Sequence, residues 1–132
     1  MINAISLIKA AIKQSILNNP AINIKGVFNG VPKNLVYPYI KFGEINVLNK
    51  SSLQKEIAEV SLILEVHSKN NPTNFLDDEL IALIAGIEVC LPSITIYGYD
   101  ILQLKIDETV LKQSKDDGFV GIIKIFVAVK KL

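Results

Sequence analysis

The residues in this chain that could do chemistry are few, and each has a simpler physical explanation. His67 is the only histidine, and Glu65 lies two positions before it on an alternating strand pattern, so the two share one face. A carboxylate beside an imidazole can act as an acid–base pair, but catalysis needs a nucleophile or third group within reach. The sequence marks none, and His67 reads as a surface residue at a strand end. Asp77, Asp78 and Glu79 are consecutive, so on a helix they point in different directions and cannot converge on a metal. They suit the first turn of a helix, where the dipole favours anions. Asp116-Asp117-Gly118 lacks the further acidic positions of a calcium loop and reads as a turn. Gly26, Gly30 and Gly43 do not have the spacing of a phosphate cradle. Cys90 is the only cysteine, which excludes an intrachain disulfide and a cysteine-rich zinc site. Val89 and Leu91 beside it indicate a buried thiol. We therefore expect no enzyme, no cofactor and no metal.

Charge narrows the partners. Lys+Arg total 14 and Asp+Glu 13, giving a net charge of +1, so no overall field steers nucleic acid or an acidic membrane. Every one of the basic residues is lysine. Guanidinium is the group suited to bidentate contacts with phosphate and guanine, so its absence argues against sequence-specific nucleic-acid binding. Apolar residues make up 50% of the chain and the mean hydropathy is +0.38. Such a composition fits either an isoleucine-rich ordinary core or apolar surface hidden in a subunit interface. The amino terminus lacks a basic segment and Lys9 interrupts the first apolar stretch, so no signal peptide is expected. The longest uncharged apolar run, Leu80 to Ile87, is far shorter than the ~20 residues that span a bilayer. We expect a protein of the cytoplasm or of an assembled particle, without membrane contact.

These groups need elements to position them, and the periodicities supply an order. At 132 residues the chain suits one domain, residues 1–132, around one core. Residues 2–18 form a helix with Ile5, Ile8, Ile12 and Ile16 on one arc, ended by Asn18-Asn19-Pro20. Residues 21–38 carry Gly26, Asn29-Gly30, Pro32 and Pro38 and read as an excursion with a small hairpin or irregular edge around Val27-Phe28. Tyr39 to Ile45 alternates as a strand, and Asn46 to Lys55 reads as a long polar loop. Glu56 to Ser68 is the central strand, with Val60, Leu62, Leu64 and Val66 on one face and Glu59, Ser61, Glu65 and His67 on the other. A helix runs from Asn74 to Leu91, stopped by Pro92, with Leu76, Leu80, Leu83, Ile84, Ile87 and Leu91 on its buried face. Ile94 to Leu111 is extended, Lys115 to Gly118 turns, and Phe119 to Lys130 is the last strand. This predicts an α+β fold: an antiparallel or mixed sheet of about four strands with two helices packed on one face.

Two regions are left as candidate sites. The last strand is apolar on both faces: if the helices cover Ile123, Ile125, Val127 and Val129, then Val120, Ile122, Phe126 and Ala128, with Lys124 among them, need another partner. They form a candidate subunit interface. The polar loop, with Lys50, Ser51, Ser52, Gln54 and Lys55, is a candidate surface facing a partner or a lumen. Lys112 and Lys115 near the last turn could join it beside a polyanion, although solvated loop lysines are the simpler account of them.

The layout resembles the small tail-terminator, or tail-completion, proteins of long-tailed phages, which are also encoded by prophages. The matching residues are Tyr37-Pro38-Tyr39-Ile40 with Gly43-Glu44, Val60 to Ser68, the helix to Leu91, and the Gly118 turn with the strand from Phe119 to Val129. The similarity extends over nearly the whole chain. It departs at His67, where the family often has an aromatic residue before the serine, and at Lys124, where arginine is common. The resemblance implies a non-enzymatic subunit forming a homo-oligomeric ring, a hexamer, that ends the tail tube and joins it to the head connector. The implied partners are further copies of the chain, the tail-tube protein and connector or neck proteins, with DNA passing through without being gripped. The implied location is the neck of the virion tail, with assembly in the host cytoplasm. Two rivals remain: another head–tail joining or neck protein, and a dimeric α+β module that binds a small ligand.

Overall fold

The computed structural model describes residues 2–34, 36–50, 56–69, 78–113 and 118–132. Helix α1 (Ile2–Leu17) is followed by a two-residue strand β1 (Val27–Phe28) and the long strands β2 (Tyr39–Asn49) and β3 (Ile57–Lys69). Helix α2 (Asp78–Cys90) continues into a short 3-10 turn, Leu91–Ser93, and strands β4 (Tyr99–Gln113) and β5 (Gly118–Lys131) close the chain. The strands form one sheet in the order β1-β2-β3-β5-β4. Only β1 runs parallel to its neighbour; the other pairings are antiparallel, so the sheet is mixed.

The fold class is the one expected, with one strand more. The extra strand is β1, where Val27 pairs with Ile40 and Phe28 with Lys41. Among the described residues the 21–38 excursion is thus an irregular edge without a hairpin of its own. Its anchors are Ile22 and Val27, both buried in the core, and the bond from the Lys25 N–H to the Pro38 carbonyl, 2.8 Å.

Both helices pack on one face of the sheet. Ala4, Ile8, Ile12 and Ile16 of α1 are completely buried, which the four-residue spacing dictates. The same alternation that predicts β3 as a strand sends Ala58, Val60, Leu62, Leu64 and Val66 into the core beside Ile123, Ile125, Val127 and Val129 of β5. α2 lies close against β5 at one point: a Cβ built on Gly121 would stand 2.5 Å from Ile84 Cδ1. Any larger residue at 121 must displace the helix or Ile84. At the other close turn, Gly98 has φ +82°, a left-handed conformation that glycine adopts without a Cβ penalty, and Ile96 bridges Tyr99 across it. Ser15 ties the helices together, its hydroxyl donating to the Cys90 carbonyl at 3.3 Å.

Three boundaries differ from those expected. The extended stretch from Ile94 is broken by the turn at Tyr97-Gly98, so β4 begins only at Tyr99 and runs two residues past Leu111 to Gln113. Strand β2 continues to Asn49, where the polar composition suggested a loop from Asn46 onward. Pairing with β3 overrides composition here: Asn46, Val47, Leu48 and Asn49 lie opposite Ser61, Val60, Glu59 and Ala58. α2 stops at Cys90, one residue early, because Pro92 cannot continue the helix and sits instead in the 3-10 turn. Its expected start at Asn74, with Leu76, lies outside the described residues.

Candidate functional site

The face of the sheet away from the helices is where the expected interface residues lie. The register builds it in cross-strand rows. Val120 stands between His67 of β3 and Lys112 of β4, and Ile122 between Glu65 and Val110. Lys124 stands between Ile63 and Glu108, Phe126 between Ser61 and Lys105, and Ala128 between Glu59 and Gln103. The five candidates therefore form one contiguous line along β5.

They are not equally available. Val120 is 5% exposed and Ala128 8%, covered by side chains of their own sheet, whereas Ile122 and Phe126 are half-buried. Lys124 is exposed and reaches Glu108 at 3.0 Å. Lys105 lies over the Phe126 ring, its Nζ 5.3 Å from the centroid, and also reaches Asp107 at 3.5 Å. Long charged side chains thus lay their stems across the apolar row while keeping their heads in water. This covering explains how a strand apolar on both faces stands without a second layer of helices among the described residues, and of the five candidates it leaves Ile122 and Phe126 as the apolar ones still open to a partner.

The candidate loop is shorter than the sequence suggested. Lys50 belongs to the end of the β2–β3 hairpin: its N–H donates to the Ile57 carbonyl at 2.8 Å, and its ammonium pairs with Glu59. Ser51, Ser52, Gln54 and Lys55 lie outside the described residues, as do Asp77, Lys115, Asp116 and Asp117.

The acid–base candidates do come together. His67 Nε2 is 3.1 Å from Glu65 Oε1, while the other carboxylate oxygen of Glu65 faces Lys41 Nζ at 3.7 Å. The His67 ring lies flat on Tyr39, centroids 4.7 Å apart with 12° between planes. Phe28 and Tyr37 also pack around Tyr39, at 6.2 Å and 5.5 Å between centroids. The result is a half-buried cross-strand cluster that locks the start of β2 to the end of β3. Alternation alone puts Glu65 and His67 on one face, but the partnership with Tyr39 depends on a register that only the fold supplies. Ser68, a member of the opposite face, is fully buried and its hydroxyl donates to Glu79 Oε1 at 3.2 Å, which fastens the start of α2 to β3. The acidic start of α2 therefore has a structural role beyond its dipole. Among the described residues no group of three or more His, Cys, Asp or Glu could hold a metal ion, and no helix is long and apolar enough to cross a membrane.

The chain matches no protein-family model and no curated sequence. It does match solved structures. A chain from the virion of a native gene transfer agent particle superposes with a TM-score of 0.74, covering 95% of this chain and 96% of that one at 15% identity. The two chains share one fold. At that identity the likeness is one of architecture, and it runs over nearly the full length of both.

Proposed function

We propose that this protein is a non-enzymatic structural subunit of a virion, forming a ring that ends the tail tube and joins it to the head connector. The observation that carries the reading is the end-to-end match to a gene transfer agent virion chain, 95% of one and 96% of the other. The order of elements that resembles the tail-terminator family points the same way. The surface chemistry supports it: half-buried Ile122 and Phe126 on an uncovered sheet face offer apolar area to a neighbour, within a frame of lysines and carboxylates already paired to one another. A ring needs two different patches that meet by rotation and close, a heterologous interface. We propose self-association as a hexamer, with tail-tube and connector proteins on its two rims and DNA passing without specific contacts. The neck of the virion tail is then its place, with assembly in the host cytoplasm. The stretch from Lys50 to Lys55 is proposed as a partner-facing or lumen-facing rim.

The test uses the purified protein. Light scattering at tens of micromolar, with negative-stain micrographs of the same sample, is expected to give closed rings. Added to purified tail tubes, the protein is expected to sit at one tube end. A strict monomer that decorates no tube end would overturn the reading.

A further inference from the structure

The sheet has two open edges, and they complement each other. On one side β4 is the outermost strand, fifteen residues long, with no strand beyond it among the described residues. Most of its first half is spoiled for pairing by register shifts between Ile101 and Gln103 and between Ile106 and Glu108, the bulges that usually protect an edge. From Glu108 to Gln113 it is regular. On the other side β1 covers β2 only at Ile40 and Lys41, and a shift between Phe42 and Ile45 follows. From Ile45 to Asn49 β2 is regular, with its outer edge uncovered among the described residues.

We infer that the regular edge of β4 in one copy pairs antiparallel with the free edge of β2 in the next, Leu111 facing Ile45, so that the copies share one continuous sheet. This rests on the ring reading above and names its interface. Direction permits it: β2, β3, β5 and β4 alternate, so β4 followed by the next copy's β2 continues the alternation. β1 limits the register. With Leu111 opposite Ile45, the end of β4 reaches the shift between Phe42 and Ile45 and stops just short of the two positions that β1 occupies. A slide of two residues further would run the end of β4 into the positions of β2 that β1 already holds.

Side chains agree with that register. Leu111 belongs to the helix-side row beside Gly121 and Ile45 to the helix-side row beside Leu62, so two exposed or half-exposed apolar residues meet on the correct face. Glu44 shares the open face with Asn46, whose amide it accepts at 3.5 Å. Lys112 of the neighbour then stands opposite Glu44, and Val110 opposite Asn46, giving one cross-strand ion pair and no like-charge clash.

The stagger also closes a ring. Within one chain Val47 lies level with Val60, Val127 and Leu104. In the inferred pairing Val47 meets Thr109, which lies level with Ile123, four steps along β5 from Val127. Four residues at ~3.3 Å make a rise of about 13 Å per copy, against about 19 Å across four strands. The strands then tilt by about 35° to the ring axis, at the edge of the 35–45° that closed barrels adopt. Six copies give about 24 strands and a backbone diameter of about 45 Å, more strands than the 16–18 that already enclose an aqueous channel.

Cysteine cross-linking tests the pairing. Asn46→Cys and Val110→Cys in one chain cannot bridge internally, because β2 and β4 are three strand spacings apart, about 14 Å, beyond the ~7 Å limit for a disulfide. Mild oxidation of the double variant is expected to give a ladder of oligomers on a non-reducing gel, collapsing on reduction, while a mixture of the two single variants stops at dimers. As a second arm, Glu44→Lys is expected to raise the concentration for half-assembly about fivefold, and Lys112→Glu in the same chain to restore it. Oligomers by light scattering without the ladder would overturn the edge pairing and leave the ring reading standing. A strict monomer without cross-links would overturn both.

Discussion

Replacing Phe126 by aspartate separates an assembly surface from a core. Phe126 is half-buried between Ser61 and Lys105, so truncating it exposes less than a full side chain's worth of apolar area. Full burial of a phenylalanine is worth about 1.5–3 kcal/mol, so half of that, about 1–1.5 kcal/mol, is at stake in the isolated chain. The cation contact with Lys105 adds about 0.5–1 kcal/mol, most of which an ion pair between Lys105 and the introduced carboxylate offsets across the same row. The expected loss is therefore about 1–2 kcal/mol, a drop in Tm of roughly 3–8 °C for a chain of this size. Ile125, the preceding residue, is the internal standard. It is 1% exposed on the helix side, and Ile125→Ala is expected to cost about 2–5 kcal/mol through the cavity it leaves. Thermal unfolding by circular dichroism gives the stability of each variant, and light scattering its assembly. Phe126→Asp is expected to abolish association at concentrations where the fold persists, and Ile125→Ala to weaken both together. A Phe126→Asp chain destabilised as much as Ile125→Ala would mean that the open face is core, and the reasoning from cross-strand covering would fail.

Three further substitutions probe the frame. Gly121→Val forces a side chain into space that Ile84 Cδ1 already occupies, and is expected to cost about 1–3 kcal/mol by denaturant unfolding, with Ile84→Ala in the same chain recovering part of it. Replacing Ser51 to Lys55 by Asn-Gly should leave the circular dichroism spectrum unchanged and shift Tm by only a few degrees, because the Lys50–Ile57 bond holds the two strands together outside the replaced stretch. Tyr39→Ala should cost about 3–5 kcal/mol, since Tyr39 is 3% exposed under His67, while Glu65→Gln should cost under about 1 kcal/mol. The reverse order in thermal unfolding would show that charge, and not stacking, holds His67.

The order of elements was legible because both periodicities are clean. Every second residue of β3 from Ala58 to Val66 is buried, and every fourth of α1 from Ala4 to Ile16. What could not be read is anything set by pairing. Asn46 and Asn49 look like loop residues until Ser61 and Ala58 lie beside them. Val27-Phe28 is too short for a pattern of its own and becomes a strand only because Ile40 and Lys41 offer it an edge. The candidate interface was legible as a line of residues on β5, yet its availability was not. Val120 and Ala128 are covered by neighbours that stand 53 and 69 positions away in sequence for β3, His67 and Glu59, and no local window contains them.

That distinction also accounts for the lysines. A sheet face without helices must either be solvated or meet a partner, and this one is built for both states. Lys41, Lys50, Lys105 and Lys124 each stand beside a carboxylate of their own sheet, Glu65, Glu59, Asp107 and Glu108, so the face carries charge in neutralised pairs. Pairs of this kind contribute little to stability while exposed. They keep an uncovered sheet from sticking to itself face to face, because burying them would strip water from both partners. Where copies pair at the sheet's edges the charges remain wet, and the apolar patch at Ile122 and Phe126 between them is what is left on this face for a neighbour to cover. A chain with arginine in those rows would hold passing phosphates in bidentate contacts. Lysines already engaged by carboxylates do not.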